Sequence, residues 1–213
     1  MSAAKRGERP DLYAFDRALL KAGESPLCGV DEAGRGPLAG PVCAAAVILP
    51  PGEELPGIND SKKLSEKRRE QLYEQITQRA LAWSVAFASA QEIDRVNILQ
   101  ATFLAMRRAV EGLQTTPALV LVDGNRDPGL GLPTRTVVGG DGKSAAIAAA
   151  SILAKVTRDR YLLQLDRQYP QYAFAKHKGY GTQLHYQLLG QYGPCPEHRR
   201  SFLRKWMEGQ QDG

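Results

Sequence analysis

Asp31 and Glu32 stand side by side at the end of an apolar run, Leu27-Cys28-Gly29-Val30, and a Gly34-Arg35-Gly36-Pro37 turn follows almost at once. Paired carboxylates are hard oxygen ligands of the kind Mg²⁺ or Mn²⁺ prefers. A Gly-Arg-Gly turn adds close backbone approach and one guanidinium, which suits a phosphate or a sugar edge. A divalent metal beside such a turn is an arrangement for making or breaking phosphodiesters. A surface turn carrying two solvated acids is the competing reading, and the rest of the chain decides between them.

Two more acids sit where apolar runs end. Asp123 closes Leu119-Val120-Leu121-Val122 and enters Gly124-Asn125, and Asp141 follows Val137-Val138-Gly139-Gly140. Ligand sites in α/β sheets form where strands end and loops begin. Four acids converging there suit two metal ions about 3.5–4 Å apart. Left unpaired they repel one another and raise each other's pKa, so a cation or basic group belongs nearby. Taken singly, Asp123 or Asp141 reads as ordinary Asp-Gly turn chemistry. The functional reading rests on three strand ends carrying the same signal. Neighbours on a strand point to opposite faces. Asp31 and Glu32 therefore share one site only if the strand bends or stops there, or if Glu32 reaches around.

Other polar groups are weaker signals. In Asn59-Asp60-Ser61-Lys62-Lys63-Leu64-Ser65, Lys62 or Lys63 suits a backbone phosphate, and a solvated basic loop explains the pattern as well. Tyr180, in His177-Lys178-Gly179-Tyr180-Gly181-Thr182, suits stacking on a sugar or base. Gly142-Lys143-Ser144 imitates the end of a phosphate-binding P-loop, but the glycine that motif requires at position 137 is Val137. His177, His185 and His198 are too widely spaced in sequence to suggest zinc. His198-Arg199-Arg200 and Arg204-Lys205 make the C-terminal end basic, as a strand-tracking surface would be.

The elements that must position these groups follow from periodicity. Strands are expected over residues 27–30, 42–49, 81–88, 118–122 and 134–138, the second buried on both faces because it lacks polar alternation. Leu12, Phe15, Leu19 and Leu20 predict a short N-terminal helix. Ser65 caps a helix over 66–79 with Leu72, Tyr73 and Ile76 on one side, and residues 92–113 are helical with a break near Asn97. Residues 144–160 form a long helix whose first half, Ala145-Ala146-Ile147-Ala148-Ala149-Ala150, has little side-chain bulk and can lie close to a sheet. After Tyr161 the chain reads as helical, with a long loop over 169–181. The sum is a mixed five-stranded α/β sheet flanked by helices, with a small C-terminal helical subdomain. The divisions fall at residues 1–25 (a polar tail over 1–10, then the first helix), 26–160 and 161–213.

Composition narrows the class. With 28 Lys and Arg against 23 Asp and Glu, a net charge of +5 mildly favours a polyanionic partner. Three cysteines, Cys28, Cys43 and Cys195, cannot all pair and show no Cys-x-x-Cys spacing, which fits a reducing cytoplasm. The N-terminus has no apolar signal-peptide core, and no stretch is long and apolar enough to span a membrane.

Asp31-Glu32-Ala33-Gly34-Arg35-Gly36-Pro37, Asn59-Asp60-Ser61-Lys62-Lys63-Leu64, Val122-Asp123-Gly124-Asn125, Gly140-Asp141 ahead of Ala149-Ala150-Ser151-Ile152-Leu153-Ala154-Lys155-Val156-Thr157-Arg158-Asp159, and His177-Lys178-Gly179-Tyr180-Gly181-Thr182 occur in one order. In that order and spacing the chain closely resembles the bacterial ribonuclease HII family, over roughly Cys28 to Phe202. The resemblance implies an RNase H-like fold and endonucleolytic cleavage of RNA in RNA–DNA hybrids, including a single ribonucleotide embedded in duplex DNA. It places catalytic, metal-binding acids at Asp31, Glu32, Asp123 and Asp141. It places 2′-hydroxyl reading at Gly34, Arg35 and Gly36 and substrate sensing at Tyr180; Lys62 is expected as a further substrate contact from the basic loop that carries it. The related HIII type carries an extra N-terminal domain, for which the stretch before Asp31 leaves no room. The implied cofactor is Mn²⁺ or Mg²⁺, and the expected partners are hybrids and ribonucleotide-containing DNA, with the chain a cytoplasmic monomer. Two-metal hydrolysis then gives 5′-phosphate and 3′-hydroxyl ends. A non-catalytic hybrid-binding module and an RNase H-like DNA nuclease are the alternatives. Four acids facing a polyanion argue against the first, and ribose binding by the Gly34–Gly36 turn would argue against the second.

Overall fold

The computed structural model describes residues 11–211. The expected mobile tail over 1–10 lies outside them. Five strands form one mixed sheet: β1 (Leu27–Ala33), β2 (Val42–Ile48), β3 (Ala82–Ala88), β4 (Leu119–Asp123) and β5 (Thr134–Val137). Their spatial order is β3-β2-β1-β4-β5, with β1–β2 and β2–β3 antiparallel and β1–β4 and β4–β5 parallel. Every residue of β2 is buried, as its unbroken apolar sequence requires.

Seven α-helices surround the sheet among the described residues: α1 (Leu12–Lys21), α2 (Glu66–Arg79), α3 (Ala90–Glu111), α4 (Ala145–Gln168), α5 (Phe174–His177), α6 (Gln183–Tyr192) and α7 (Arg200–Gln211). Ser65 caps α2 by accepting from the Arg68 amide, and Leu72 and Ile76 are its buried stripe. Ser89 and Glu92 form a reciprocal capping box on α3. The break in α3 falls at Asn97, whose φ of 69° leaves the helical region. The Asn97 side chain then caps the second half, accepting from the Leu99 and Gln100 amides at 3.0 and 3.1 Å.

The two faces of the sheet bury different cores. Cys28, Val30, Val120 and Val122 pack with Ile93, Ala101, Ala105 and Met106 of α3. Leu27, Leu119, Leu121 and Val137 pack with Ile147 of α4 on the other face, where Cys43, Ala45 and Val47 of β2 meet the alanines of α4. The small residues permit close approach: a Cβ on Gly29 would lie 2.1 Å from the Ala146 carbonyl carbon. The three cysteines are all free and buried.

Three expectations are corrected. β1 continues through Asp31 and Glu32 to Ala33 rather than ending at Val30, because Asp31, Glu32 and Ala33 pair in register with Ala45, Ala44 and Cys43 of β2. The helix expected to stop at residue 160 runs to Gln168, because Leu162 and Leu165 continue its apolar side into a separate core with Leu38, Tyr172, Phe174 and Leu203. The loop expected over 169–181 contains a 3₁₀ turn (Pro170–Tyr172) and α5, both anchored in that same core.

Candidate metal centre and substrate cleft

Parallel pairing puts the carboxyl ends of β1, β4 and β5 at one edge of the sheet. Val30 is level with Val122, so Asp31 and Asp123 come next on neighbouring strands. Val30 and Val122 both face α3, and by alternation Asp31 and Asp123 both face α4. Asp141 sits in the 3₁₀ turn Gly140–Gly142 that leads into α4. One carboxylate oxygen from each of Asp31, Asp123 and Asp141 lies within 4.8 Å of the other two. This three-acid, all-oxygen set fits a hard divalent cation.

Glu32 is outside that group. The strand neither stops nor bends, so Glu32 projects to the α3 side, where its carboxylate is 3.4 Å from the Arg35 guanidinium. It remains electrically part of the site: the Asp123 charge helps to raise its pKa, and its own charge helps to raise that of Asp31.

Burial, then the charges of Glu32 and Asp123, hold the Asp31 carboxyl well above the usual carboxylate range. Burial, then Asp60 and Asp123, push Asp141 the same way. Burial also raises Glu32, with Arg35 pulling against it. Lys62 Nζ is 3.4 Å from Asp141, and the charges of Asp141, Asp31 and Asp60 raise its pKa against the effect of its own partial burial. Asp123 is held by the Gly140 amide, which donates to its Oδ1 at 2.6 Å.

Two clefts meet at these acids. The first, of about 300 Å³, runs from Asp31 and Asp123 past Lys62 and Lys155 to Gly34, Arg35, Gly36 and Tyr180. The second, of about 360 Å³, lies on the α3 side between Glu32, Asp123 and Arg126, with Leu99, Phe103 and Met106 as its apolar wall. The kink at Asn97 precedes that wall. Lys143, which sequence left without a role, donates to the Val138 carbonyl at 2.7 Å, and Lys63 pairs with Asp60 at 3.7 Å. Lys62 is the lysine of its pair that reaches the acids.

Two buried arginines, to which the sequence alone assigns no role in the cleft, lie beneath the Gly34–Gly36 turn, and Arg199 bonds to it directly. Arg158 is 1% exposed and donates to the carbonyls of Pro41, Ala39 and Lys178 at 3.1–3.2 Å. Arg199 is fully buried and donates to the carbonyls of Gly40, Arg35 and Gly34 at 2.9, 2.8 and 2.6 Å. Burial and the neighbouring Arg158 charge push the Arg199 pKa down to about 9. The C-terminal basic run is thereby corrected: His198 and Arg199 are interior, so neither belongs to a phosphate-tracking surface. In sequence Arg199 looks like one of several solvated arginines, and nothing local marks it.

The three histidines, far apart in sequence, also converge. His177 stacks on His185 with ring centroids 4.1 Å apart, and His185 Nε2 is 3.0 Å from His198 Nε2. Partners fix the tautomers. The Cys195 amide donates to His198 Nδ1 at 3.0 Å, so His198 carries its proton on Nε2 and donates it to His185. His185 then carries its proton on Nδ1 and donates to the Tyr180 carbonyl at 2.9 Å. The Gly179 amide donates to His177 Nδ1, and His177 Nε2 donates to the Tyr172 carbonyl. Every ring nitrogen is engaged, which leaves none directed at a metal.

Comparison with known proteins bears on this arrangement. The family model for ribonuclease HII matches residues 28–207. The chain is 56% identical over 193 residues to the ribonuclease HII of Endomicrobium trichonymphae, covering 90% of this chain and 92% of that one. It is 51% identical over 197 residues to that of Caldicellulosiruptor bescii, covering 92% and 96%. Among solved structures, ribonuclease H2 from Pyrococcus horikoshii superimposes with a TM-score of 0.69 at 28% identity, over 82% of this chain and 92% of that one. The RNase HII of Archaeoglobus fulgidus, solved in complex with PCNA, gives 0.69 at 26% identity, over 83% and 93%. A model match over most of the length, on a sheet that delivers three acids to one edge, settles the family: the chain belongs to the ribonuclease HII family.

Proposed function

We propose that this chain is a divalent-metal-dependent endoribonuclease that cuts the RNA strand of RNA–DNA hybrids and single ribonucleotides embedded in duplex DNA. The observation that carries the reading is one cleft joining Asp31 and Asp123, each with a carboxylate oxygen within 4.8 Å of one from Asp141, to the Gly34–Gly36 turn and Tyr180. Family membership supports the same activity.

Asp31, Asp123 and Asp141 are the residues that hold metal, with Glu32 completing the set from the α3 side; Asp123 and Glu32 border both clefts. When bound, Mg²⁺ or Mn²⁺ supplies Lewis-acid activation of water and charge neutralisation at the scissile phosphate. The protein's own groups bind and orient. Lys62 and Arg35 place positive charge beside the acids and draw a phosphate in. The amides of Arg35 and Gly36 have no acceptor among the described residues, so they are free to donate to a sugar or phosphate oxygen. Tyr180, 45% exposed on the far wall, stacks on the sugar. No histidine pair is placed to assist a 2′-hydroxyl attack, because the three histidines are buried and hydrogen-bonded inside the chain. Hydrolysis by water leaves 5′-phosphate and 3′-hydroxyl ends. Free buried cysteines fit action in the reducing cytoplasm, and the reading takes a monomer as the working unit. Among the described residues no helix is long and apolar enough to cross a membrane.

The test is incubation with an RNA–DNA hybrid, a DNA duplex holding one ribonucleotide, and plain DNA, each with and without Mg²⁺ or Mn²⁺. Cleavage of the first two only, and only with metal, is expected. Cutting of plain DNA would favour the DNA-nuclease alternative, and binding without cleavage would favour the non-catalytic module.

A further inference from the structure

His198 and Arg199 are adjacent, interior and joined to different walls of the same cleft. Among the described residues Arg199 has no carboxylate partner; its three nitrogens end on the carbonyls of Gly34, Arg35 and Gly40. A buried cation held only by backbone dipoles is a costly feature to keep for packing alone. A guanidinium does offer a rigid planar fork, which fixes the directions of several carbonyls at once. Peptide planarity carries that orientation forward. With the Gly34 and Arg35 carbonyls turned toward Arg199, the amides of Arg35 and Gly36 must point the opposite way. Among the described residues neither of those two amides has an acceptor.

His198 reaches the other wall. Its Nε2 proton goes to His185, and the His185 Nδ1 proton goes to the Tyr180 carbonyl. The two residues are fixed to the sheet side of the cleft by the Arg199 amide, which donates to the Leu38 carbonyl at 2.8 Å, and by a β-bridge between His198 and Ala39.

We propose that His198 and Arg199 form one positioning brace, Arg199 aiming the Gly34–Gly36 amides and His198, through His185, setting the height of Tyr180 across the cleft. This rests on the reading of Gly34–Gly36 and Tyr180 as the ribose-recognising elements. It assigns the C-terminal segment to substrate geometry rather than to phosphate tracking. A misplacement of about 1 Å at such a site costs on the order of 10²-fold in rate.

The experiment uses the full chain with Mn²⁺ and a DNA duplex holding one ribonucleotide. Arg199→Lys keeps a positive charge but loses the fork. It is expected to lower the single-turnover rate by on the order of 10²-fold, with calorimetric Mn²⁺ affinity unchanged. Its defect should be non-additive with that of Gly36→Ala, because both act on one turn. His198→Phe keeps a ring against Tyr172 and Phe174, which lie 4.9 and 5.6 Å away, but removes both nitrogens. Its loss is expected to equal that of Tyr180→Ala, and the double variant should lose no more. If Arg199→Lys does not fold, the His198–Tyr180 cycle decides. Additive losses in that cycle, or a folded Arg199→Lys protein with the wild-type rate, would overturn the brace. Failure of the wild type to distinguish a ribonucleotide from its deoxy counterpart would instead remove the recognition reading beneath it.

Discussion

Asp31 and Asp123 stand on neighbouring parallel strands, one step beyond the paired Val30 and Val122 and on the same face of the sheet. With Asp141 they bring three carboxylates within 4.8 Å, and the nearest ammonium, that of Lys62, is largely exposed. The fold therefore maintains a repulsion that a bound cation relieves.

Replacing one of these acids by its amide removes that repulsion. Asp31→Asn is expected to raise metal-free stability at neutral pH, because burial and the charges of Glu32 and Asp123 disfavour the ionised carboxyl that the amide replaces. It should also abolish cleavage and remove most of the stabilisation that Mn²⁺ gives the wild type. Denaturant unfolding with and without Mn²⁺ checks this. A destabilised but metal-responsive variant would contradict it.

Metal binding should release protons. Asp31, Glu32 and Asp141 titrate above the ordinary carboxylate range in the folded chain, and each must be ionised to serve as a ligand. A raised folded pKa means that the native state holds extra protons just above the unfolded value of about 4. Metal-free stability should thus fall as pH rises from there through the folded values. Calorimetry in buffers of different ionisation enthalpy should show proton release on Mn²⁺ binding that shrinks as pH rises. Release independent of pH would argue against the elevated carboxylates.

The two glycines of the turn should behave differently. Gly34 has a φ of +94°, and a Cβ there would lie 1.9 Å from Arg158 Nε, so Gly34→Ala disturbs the buried arginine and the fold. A Cβ on Gly36 meets only the Tyr180 ring, at 3.8 Å. Gly36→Ala is expected to keep wild-type stability and metal affinity while slowing cleavage at a single ribonucleotide by on the order of 10²-fold. Equal melting temperatures for both variants, or an unimpaired Gly36→Ala enzyme, would contradict this.

Acid should loosen the C-terminal subdomain. Burial, with the neighbouring histidines adding to it, lowers the pKa of His185 and of His198 to about 4. Unfolded, each titrates near 6.5, so the unfolded chain binds more protons between about pH 6.5 and 4. Stability is therefore fully present above pH 6.5 and declines as pH falls through that window, by at most about 1.4 kcal/mol per unit for each histidine. Unfolding followed across the window should show a shallower slope for His185→Gln than for the wild type. Identical slopes would mean that the pair is not buried neutral.

Much of this was legible in sequence because it is local. Val42 to Ile48 has no polar alternation and is buried throughout; Ser65 and Asn97 cap or break helices through bonds to amides a few residues on. Asp123 and Asp141 are legible as Asp-Gly pairs after apolar runs, and Asp31 with Glu32 as paired carboxylates ahead of a glycine turn. What sequence concealed is set by pairing and by contacts across the chain. β1 runs past Asp31 only because β2 pairs with it, and that continuation sends Glu32 to the other face. Arg199 meets Gly34 across 165 positions, and His185 meets His198 only because α6 and the segment before α7 fold together. No spacing rule announces such contacts.

The central claim is that one cleft couples a metal-holding acid group to a site that reads ribose. Its most direct measurement is the single-turnover rate at one position of a DNA duplex, carrying a ribonucleotide in one substrate and the 2′-deoxy counterpart in the other, with Mn²⁺ or Mg²⁺ saturating and product ends mapped. A single cut at the ribonucleotide, ending in 5′-phosphate and 3′-hydroxyl and lost in the deoxy substrate and in Asp123→Asn, is the predicted result. Equal cutting of both substrates, or a 2′,3′-cyclic phosphate end, would contradict the account.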